Sequence, residues 1–435
     1  MRTDRNARSA YTLFAIFLAA MSYLTMEVSR TDTQALAVSY GVLFFCYLWM
    51  AALEQERIWA LFGLGVAARV VLFFSLPSLS DDFYRFLWDG HLVRAGTSPY
   101  VYIPSDALAQ GVPGVQEELF SHLNSSQYFS VYPPLNQALF WLGASVGNSW
   151  LMGINVLRFI LAGADIGSFF ILRSLLGSRR APMAAWYFLN PLLILEGTGN
   201  LHFEGLVIFF VLLALYFLRN QRMIASGTAL GLAISTKLLP LLFLPAFFWK
   251  TRWRDALVLT TSSAFVAFLT FLPMAGNLLQ GGMGDGLSLY FQSFEFNASF
   301  YYLFREIGYW LTGYNIIQVL GPRMAVLAGL LVLFWTLRAQ YHKVGLATSL
   351  LFALTLYLLL ATTVHPWYIL PLIPLGLIGH YYFPVAWSFV IFATYFGYQA
   401  HGYEVPAWWI AAEYIVVLSF MLVEIVKKQR IQKDV

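Results

Sequence analysis

Apolar runs follow one another from residue 11 to residue 426, most of them separated by short polar loops, and this leaves the backbone few choices. A lipid interior offers no water to peptide N–H and C=O groups, so segments that cross it fold as helices that satisfy those groups internally. Candidate spans lie at 11–28, 35–53, 58–76, 151–175, 182–195, 205–218, 224–236, 238–249, 256–275, 316–337, 345–364, 367–378, 384–398 and 408–426. Several fall short of the roughly 20 residues of a full crossing. Composition agrees, because 59% of the 435 residues are hydrophobic and only 11% are charged, against about 25% charged in soluble domains. The expected fold class is all-α: a polytopic transmembrane helix bundle of about 12–14 segments, with residues 1–435 forming a single membrane domain.

Lysine and arginine concentrate in "MRTDRNAR", "EQER", "SRR", "RNQR", "KTRWR", "RAQYHK" and the terminal "KKQRIQK". If every candidate segment crosses, these clusters share one side, which the positive-inside rule makes cytoplasmic. "RNQR" and "KTRWR" bracket only residues 223–249, too little for two full spans. That interval reads as a hairpin of two short helices bent at "STKLLP", with Lys237 near its tip. A lysine at such depth needs an anion or water, unless it snorkels to an interface. The net charge of +4 is small and no basic face suits nucleic acid. Cys46 is the single cysteine, which excludes an intramolecular disulfide and any CxxC motif.

The opposite side receives the long loops. Residues 77–150 contain helix-forming stretches such as "GVQEELFSHL" and are expected to form a small, partly helical cap on the membrane surface. Residues 276–315 open on "GGMGDG" and continue with the aromatic-rich "LYFQSFEFNASFYYLF". Shorter outer loops carry "EGTGNLHFE", "VHPWY" and "YQAHGYEVPAW", so polar chemistry gathers on one face.

Within "SDDFYRFLWDG", Asp81 and Asp82 follow the third span directly and should sit on the rim of any cavity that the spans enclose. A carboxylate there suits a general base, because partial desolvation and a neighbouring like charge both raise its basicity. If the following residues are helical, Asp82, Arg85 and Asp89 share a face. The structural alternative makes Asp82 a helix N-cap supported by Arg85. Arg69, Arg158 and Asp165 lie inside spans and read as a structural charge pair or triad. Lys237 and Arg85 are better suited to a phosphate, whose developing charge an ammonium or guanidinium neutralises.

His365 begins "HPWYILPLIPL" at the outer end of a span, and His202 lies between Glu196 and Glu204 in "EGTGNLHFE". A metal held by His202, Glu204 and Glu196 is conceivable, but no HExxH or comparable spacing supports it, so no metal is expected. Walker and GxGxxG motifs are absent, and no cofactor is expected. An enzyme of this composition would receive its activated donor as a lipid.

Taken together, "DDFYRFLWDGHLVRAGTSPY" and the later "VYPPLNQALFWLG" resemble the first outer loop of the GT-C superfamily of polytopic glycosyltransferases. The likeness is to the bacterial polyprenyl-phosphate-mannose-dependent mannosyltransferases and the GPI-anchor first mannosyltransferase in particular. "LNPLLILEGTGNLHFEGLVIFFVLLAL", "STKLLPLLFLP" and "HPWYILPLIPL" are similar to further segments of that family, so the likeness runs from about Arg69 to Pro374. It implies a GT-C-like fold, a sugar donor on a polyprenyl phosphate, inversion at the anomeric carbon, and a first-loop carboxylate that deprotonates the acceptor hydroxyl. Asp81 matches the family's first acidic position, while Phe83 stands where eukaryotic members have the second aspartate of DxD. The base is thus Asp81 or Asp82. Glu204 stands where relatives often carry aspartate after His202.

On this reading Arg85, Asp89, Tyr100, Tyr132, His202, Glu204, Lys237, His365 and Tyr368 contact substrate, the tyrosines and Trp367 offering surfaces for a sugar ring or, alternatively, membrane anchors. The implied activity moves one hexose, with mannose favoured, to a hydroxyl of a glycan or glycolipid on the non-cytoplasmic face of a bacterial plasma membrane. The competing readings are a transporter or flippase for a lipid-linked sugar, and an oligosaccharide ligase or polymerase. A transporter predicts inverted repeats, which the sequence does not display.

Overall fold

In the computed structural model, which describes residues 2–53, 55–146, 149–279, 282–399 and 402–433, the apolar runs form helices. Among the described residues Thr33–Ala52, Trp150–Leu176, Trp253–Asn277, Ile317–Tyr341 and Ala407–Arg430 are long and apolar enough to cross a membrane. Shorter apolar helices occupy Ala10–Met26, Ile58–Phe74, Met223–Thr236, Leu239–Lys250, Leu346–Leu360, Pro366–Gly379 and Phe383–Gly397. The all-α bundle expected from the sequence is therefore what forms. The described strands are a two-residue pair, Tyr398–Gln399 against Gly402–Tyr403.

One segment departs from its expected bounds. The run at 182–195 is not one helix, because Ala184–Phe188 ends before Pro191, which has no N–H to continue it. A new helix starts at Pro191, capped by the Asn190 side chain, which accepts from the Leu192 and Leu193 amides. It widens into a π-helical turn over Ile194–Gly199, and a bend of 110° leads into Glu204–Arg219. Leu201, in the bend, is left-handed at φ 65°.

An unwound stretch at membrane depth is tolerated only where protein satisfies its backbone. Arg158, on Trp150–Leu176, does this: its guanidinium donates to the carbonyls of Thr198 at 3.2 Å, Gly199 at 3.1 Å and Ser75 at 2.5 Å. Seven residues on, Asp165 pairs with Arg69 at 3.0 Å and accepts from the Tyr187 hydroxyl at 3.2 Å. Of the pairings open to the three spanning charges, the realised one is Arg69–Asp165.

Within the first long loop, Asp82–Arg94, Pro104–Gln110, Glu117–Phe120 and Pro134–Ser145 form a cap whose apolar core is shared with the long helix Trp150–Leu176 and the chain beyond the bend. "GVQEELFSHL", expected to be helical, gives a single turn. Phe83, Phe86, Trp88 and Phe140 bury against Leu157 and Leu161 of the long helix and against Phe203 beyond the bend. Gly90 lets the Asp82–Arg94 helix approach the Phe140 carbonyl where a Cβ would not fit. Gly227 and Gly231 serve the same purpose where Met223–Thr236 packs on Trp253–Phe271, a small-xxx-small contact suited to lipid.

Several residues of the basic loops cap helix C-termini, where free carbonyls concentrate negative charge. Arg219 donates to Ser174 and Leu175 carbonyls at 3.1 Å each, Lys250 to Ala339 at 3.0 Å, and Lys428 to Gly379 at 2.5 Å. The helix N-termini of Asp82–Arg94, Pro134–Ser145, Glu204–Arg219 and Pro366–Ile369 meet elsewhere, and they frame the candidate site.

The buried Arg69–Asp165 pair generates a stability prediction. Asp165→Ala should cost about 3–5 kcal/mol because it strands a buried guanidinium, whereas the double change Arg69→Leu, Asp165→Leu should cost less than the single one. Thermal melts of detergent-solubilised protein, read as monodisperse fraction on size exclusion, test the order.

Candidate active site

Two cavities meet at the first residue of the Asp82–Arg94 helix. One, of about 420 Å³, has a long apolar wall that includes Leu238, Leu239, Leu242, Ala325, Ala328 and Leu360. Its polar end is made by Asp82, Tyr132, Asn136, His202, Glu204 and Lys237. The other, of about 310 Å³, is lined by Asp81, Arg85, Asn124, Glu295, His365 and Tyr398 among others. Asp82, Val131, Tyr132, Thr363 and Trp367 line both, so they form the boundary between an apolar slot and a polar bowl.

Asp81 and Asp82 have different surroundings. Asp81, not Asp82, occupies the N-cap position of this helix and makes no side-chain cap, so the alternative that cast Asp82 as the N-cap is not what forms. Its Oδ2 is held by Arg30 at 2.6 Å, and Arg30 also lies over the Tyr398 ring. Asp82 is half-buried and, among the described residues, has no ion-pair partner. It accepts from Asn124 Nδ2 at 3.3 Å and from the Tyr132 hydroxyl at 3.5 Å. Burial pushes its carboxyl above the ordinary aspartate range, and the nearby Asp81 charge adds to this. The Asn124 and Tyr132 hydrogen bonds and the Lys237 charge act in the opposite direction.

Lys237 is the extended residue at the break between Met223–Thr236 and the helical run Leu239–Lys250. Its ammonium pairs with Glu204, the first residue of the helix beyond the bend, and lies 4.2 Å from the centre of the Tyr368 ring. The Asn136 amide donates to the Thr236 carbonyl at 3.0 Å and so ties this tip to the cap. His202 stacks on Trp367 with ring centres 3.4 Å apart, and His365 stacks on the same indole at 4.4 Å. His202 Nε2 lies 3.4 Å from Glu196 without making a hydrogen bond. Glu196, on the π-helical turn, accepts from the Tyr395 hydroxyl at 2.5 Å and from Asn200 at 3.2 Å.

Other residues singled out in the sequence turn inward. Arg85 pairs with Asp89 at 2.7 Å, as their i,i+4 spacing allows, and donates to the Ser125 and Tyr128 carbonyls. Asp89 also accepts from Ser130 at 2.5 Å and Gln137 at 3.0 Å. Together they clamp the loop that carries Asn124 and Tyr128. Tyr100 is buried and donates its hydroxyl to the Tyr132 carbonyl at 2.6 Å, behind the wall rather than in it.

Arg30 was not anticipated, although an arginine in the short loop "SRTD", which alternation of the expected spans puts opposite the basic clusters, was a signal. Nothing in the sequence pointed to Trp367 as the platform for both histidines. Glu204 faces Lys237 rather than His202, and among the described residues no three His, Cys, Asp or Glu side chains converge as a metal ligand set.

The polar end of the slot combines a cation, helix N-termini and a buried histidine, a setting that suits a phosphate group on an apolar tail. The bowl offers aromatic and hydrogen-bonding surface suited to a carbohydrate. Between them stands a carboxylate able to take a proton.

The sequence profile of the family described as "Alpha-(1->6)-mannopyranosyltransferase, N-terminal domain" matches residues 10–252. That range takes in Asp82, Tyr132, His202, Glu204 and Lys237 and ends before His365 and Trp367. Alpha-(1->6)-mannopyranosyltransferase A of Corynebacterium glutamicum is 26% identical over 188 residues, 41% of this chain and 36% of that protein. GPI mannosyltransferase 1 of Eremothecium gossypii is 29% identical over 166 residues, 37% of this chain and 38% of that protein. The chain thus spans little more than a third of either relative.

The environment of Asp82 is directly measurable. In infrared difference spectra of wild type minus Asp82→Asn, the protonated-carboxyl band should persist to a pH above the ordinary aspartate value of about 3.9.

Proposed function

The chain belongs to the alpha-(1->6)-mannopyranosyltransferase family, and from that premise we propose that it transfers a single mannosyl unit from a polyprenyl phosphate to a hydroxyl of a cell-envelope glycan or glycolipid. The observation that carries the proposal is the pair of cavities, one apolar and one polar, with Asp82 on the boundary. A donor with a long hydrocarbon tail fits the slot, and a hydroxylated acceptor fits the bowl.

On this account the polyprenyl chain lies along Leu238, Leu242 and Ala328 with its phosphate at Lys237. Lys237 already balances one anion, Glu204, and a phosphate would share that ammonium as negative charge grows on the leaving oxygen. Asp82 removes the acceptor proton while the acceptor oxygen bonds to the anomeric carbon. The bond from that carbon to the phosphate oxygen breaks on the opposite side, releasing polyprenyl phosphate and inverting the configuration. Asp82 rather than Asp81 is the base, because Arg30 occupies Asp81. His202, Trp367 and Tyr368, which line the slot, supply rings against which the donor sugar packs, and His365, which lines the bowl, faces the acceptor. The basic loops support a cytoplasmic location for the far end of the bundle, and the transfer then takes place on the outer face of a bacterial plasma membrane.

The test incubates purified protein with radiolabelled mannosyl-phosphoryl-polyprenol and a membrane lipid and glycan extract. Asp82→Asn should lower transfer about 10²–10⁴-fold, and Lys237→Ala about 10²–10³-fold. Asp81→Asn should retain most activity. A rate governed by ionised Asp82 should fall as pH drops through its raised pKa, above the ordinary carboxylate range. Equal loss in Asp81→Asn and Asp82→Asn would remove Asp82 from this role.

A further inference from the structure

Outside the family-matched range, a buried carboxylate holds one wall of the bowl. Glu413, on the C-terminal helix Ala407–Lys433, is 5% exposed and has no cationic partner among the described residues. Its oxygens accept instead from neutral groups. Asn297 Nδ2 lies 3.2 and 3.1 Å from the two carboxylate oxygens, and Trp387 Nε1 donates to one of them at 2.8 Å. From the next turn position, the Tyr414 hydroxyl donates to the Asn297 carbonyl at 2.6 Å. The side-chain nitrogen and the backbone carbonyl of Asn297 are therefore both held by one helix.

Asn297 is a backbone special case. Its φ is 46°, in the left-handed region where asparagine and aspartate are tolerated better than other side chains. Immediately before it the chain is stitched to the strip at the cavity boundary. Phe296 forms a parallel bridge with Thr363, its N–H donating to the Thr362 carbonyl at 3.1 Å and its carbonyl accepting from Val364 at 2.8 Å. The Thr363 hydroxyl donates to the Phe294 carbonyl at 3.0 Å. Phe294, Glu295 and Phe296 all line the bowl, Phe296 packs at a tilt against His365 with ring centres 4.5 Å apart, and His365 stacks on Trp367.

We propose that Glu413 and Asn297 form a latch that positions the acceptor wall, making them positioning residues for recognition of the acceptor rather than catalytic ones. The proposal rests on the transfer reading above. The latch fixes the turn at Asn297, the turn fixes the Phe296–Thr363 bridge, and the bridge fixes Phe296 and His365 against the boundary shared with the slot. Neutral donors suit this purpose, because a carboxylate that accepts from two planar nitrogens, an amide and an indole, at fixed angles is directional in a way that a mobile lysine partner is not. Donor-side residues, Lys237 and Glu204, lie on other elements and do not depend on it.

Two readouts test this in the full-length chain. Ala298 is fully buried beside the turn, so a thiol introduced by Ala298→Cys should react slowly with a water-soluble maleimide. Labelling requires local opening, and adding Glu413→Gln should speed it about tenfold or more. An unchanged rate overturns the latch, whatever the protein's activity. In the second arm, transfer from mannosyl-phosphoryl-polyprenol to octyl α-mannoside is measured in proteoliposomes. Glu413→Gln and Asn297→Asp should each raise the KM for octyl α-mannoside about tenfold, since small misplacements of a positioning wall carry penalties of this size. The KM for the donor and the slow hydrolysis of donor by water should stay within about twofold.

The double variant Asn297→Asp, Glu413→Gln reverses the polarity of the pair, so that the new amide donates to the new carboxylate, and should restore both labelling and KM. A general loss of kcat with unchanged acceptor KM, or a double variant worse than either single one, overturns the positioning role. Wild-type protein that transfers no mannose refutes the transfer reading instead, and the labelling arm still decides the latch.

Discussion

The whole arrangement depends on satisfying backbone that is not helical at the depth of a membrane. Breaking a helix between Gly199 and Glu204 frees carbonyls that lipid cannot hydrogen-bond. Arg158 meets that need by donating to Thr198, Gly199 and Ser75, so a buried positive charge is surrounded by carbonyl dipoles rather than by a counter-ion. The same side chain thereby joins the end of the third apolar run to the bend. Asp82 follows that run and Glu204 follows the bend, which is how a structural arginine brings two functional segments to one place.

From that junction the chemistry has a spatial logic. Helix N-termini and Lys237 supply positive potential at the head of an apolar slot, and the cap supplies a half-buried carboxylate at its rim. The Arg30–Asp81 pair keeps the neighbouring carboxylate occupied, so the two adjacent aspartates differ in partner rather than in kind. The residues that make the boundary come from both ends of the sequence. Asp82 and Tyr132 come from the first outer loop, Thr363 and Trp367 from the strip after Leu346–Leu360.

Local pattern revealed much of this. Apolar length gave the helices, and the crowding of "RNQR" and "KTRWR" around residues 223–249 located Lys237 at the break between two short helices. The spacing of Arg85 and Asp89 foretold their contact but not its use, since i,i+4 geometry is the same whether the pair clamps a loop or meets a ligand. Other features were out of reach because they pair residues far apart in the chain. Arg30 meets Asp81, His202 meets Trp367, and Asn297 meets Glu413. Periodicity carries no information on such long-range pairings. The break at residues 199–204 was legible, since "EGTGNLHFE" reads as a loop between the runs at 182–195 and 205–218, whereas the break before Pro191 was hidden inside an apolar run.

The central claim is that donor and acceptor occupy separate cavities and react in one displacement across Asp82. The stereochemistry of the product tests that most directly. With mannosyl-phosphoryl-polyprenol of a single defined anomeric configuration, nuclear magnetic resonance of the purified product should give the opposite configuration at the new linkage. A product that retains the donor's configuration would require a covalent intermediate or a second displacement, and would contradict the account.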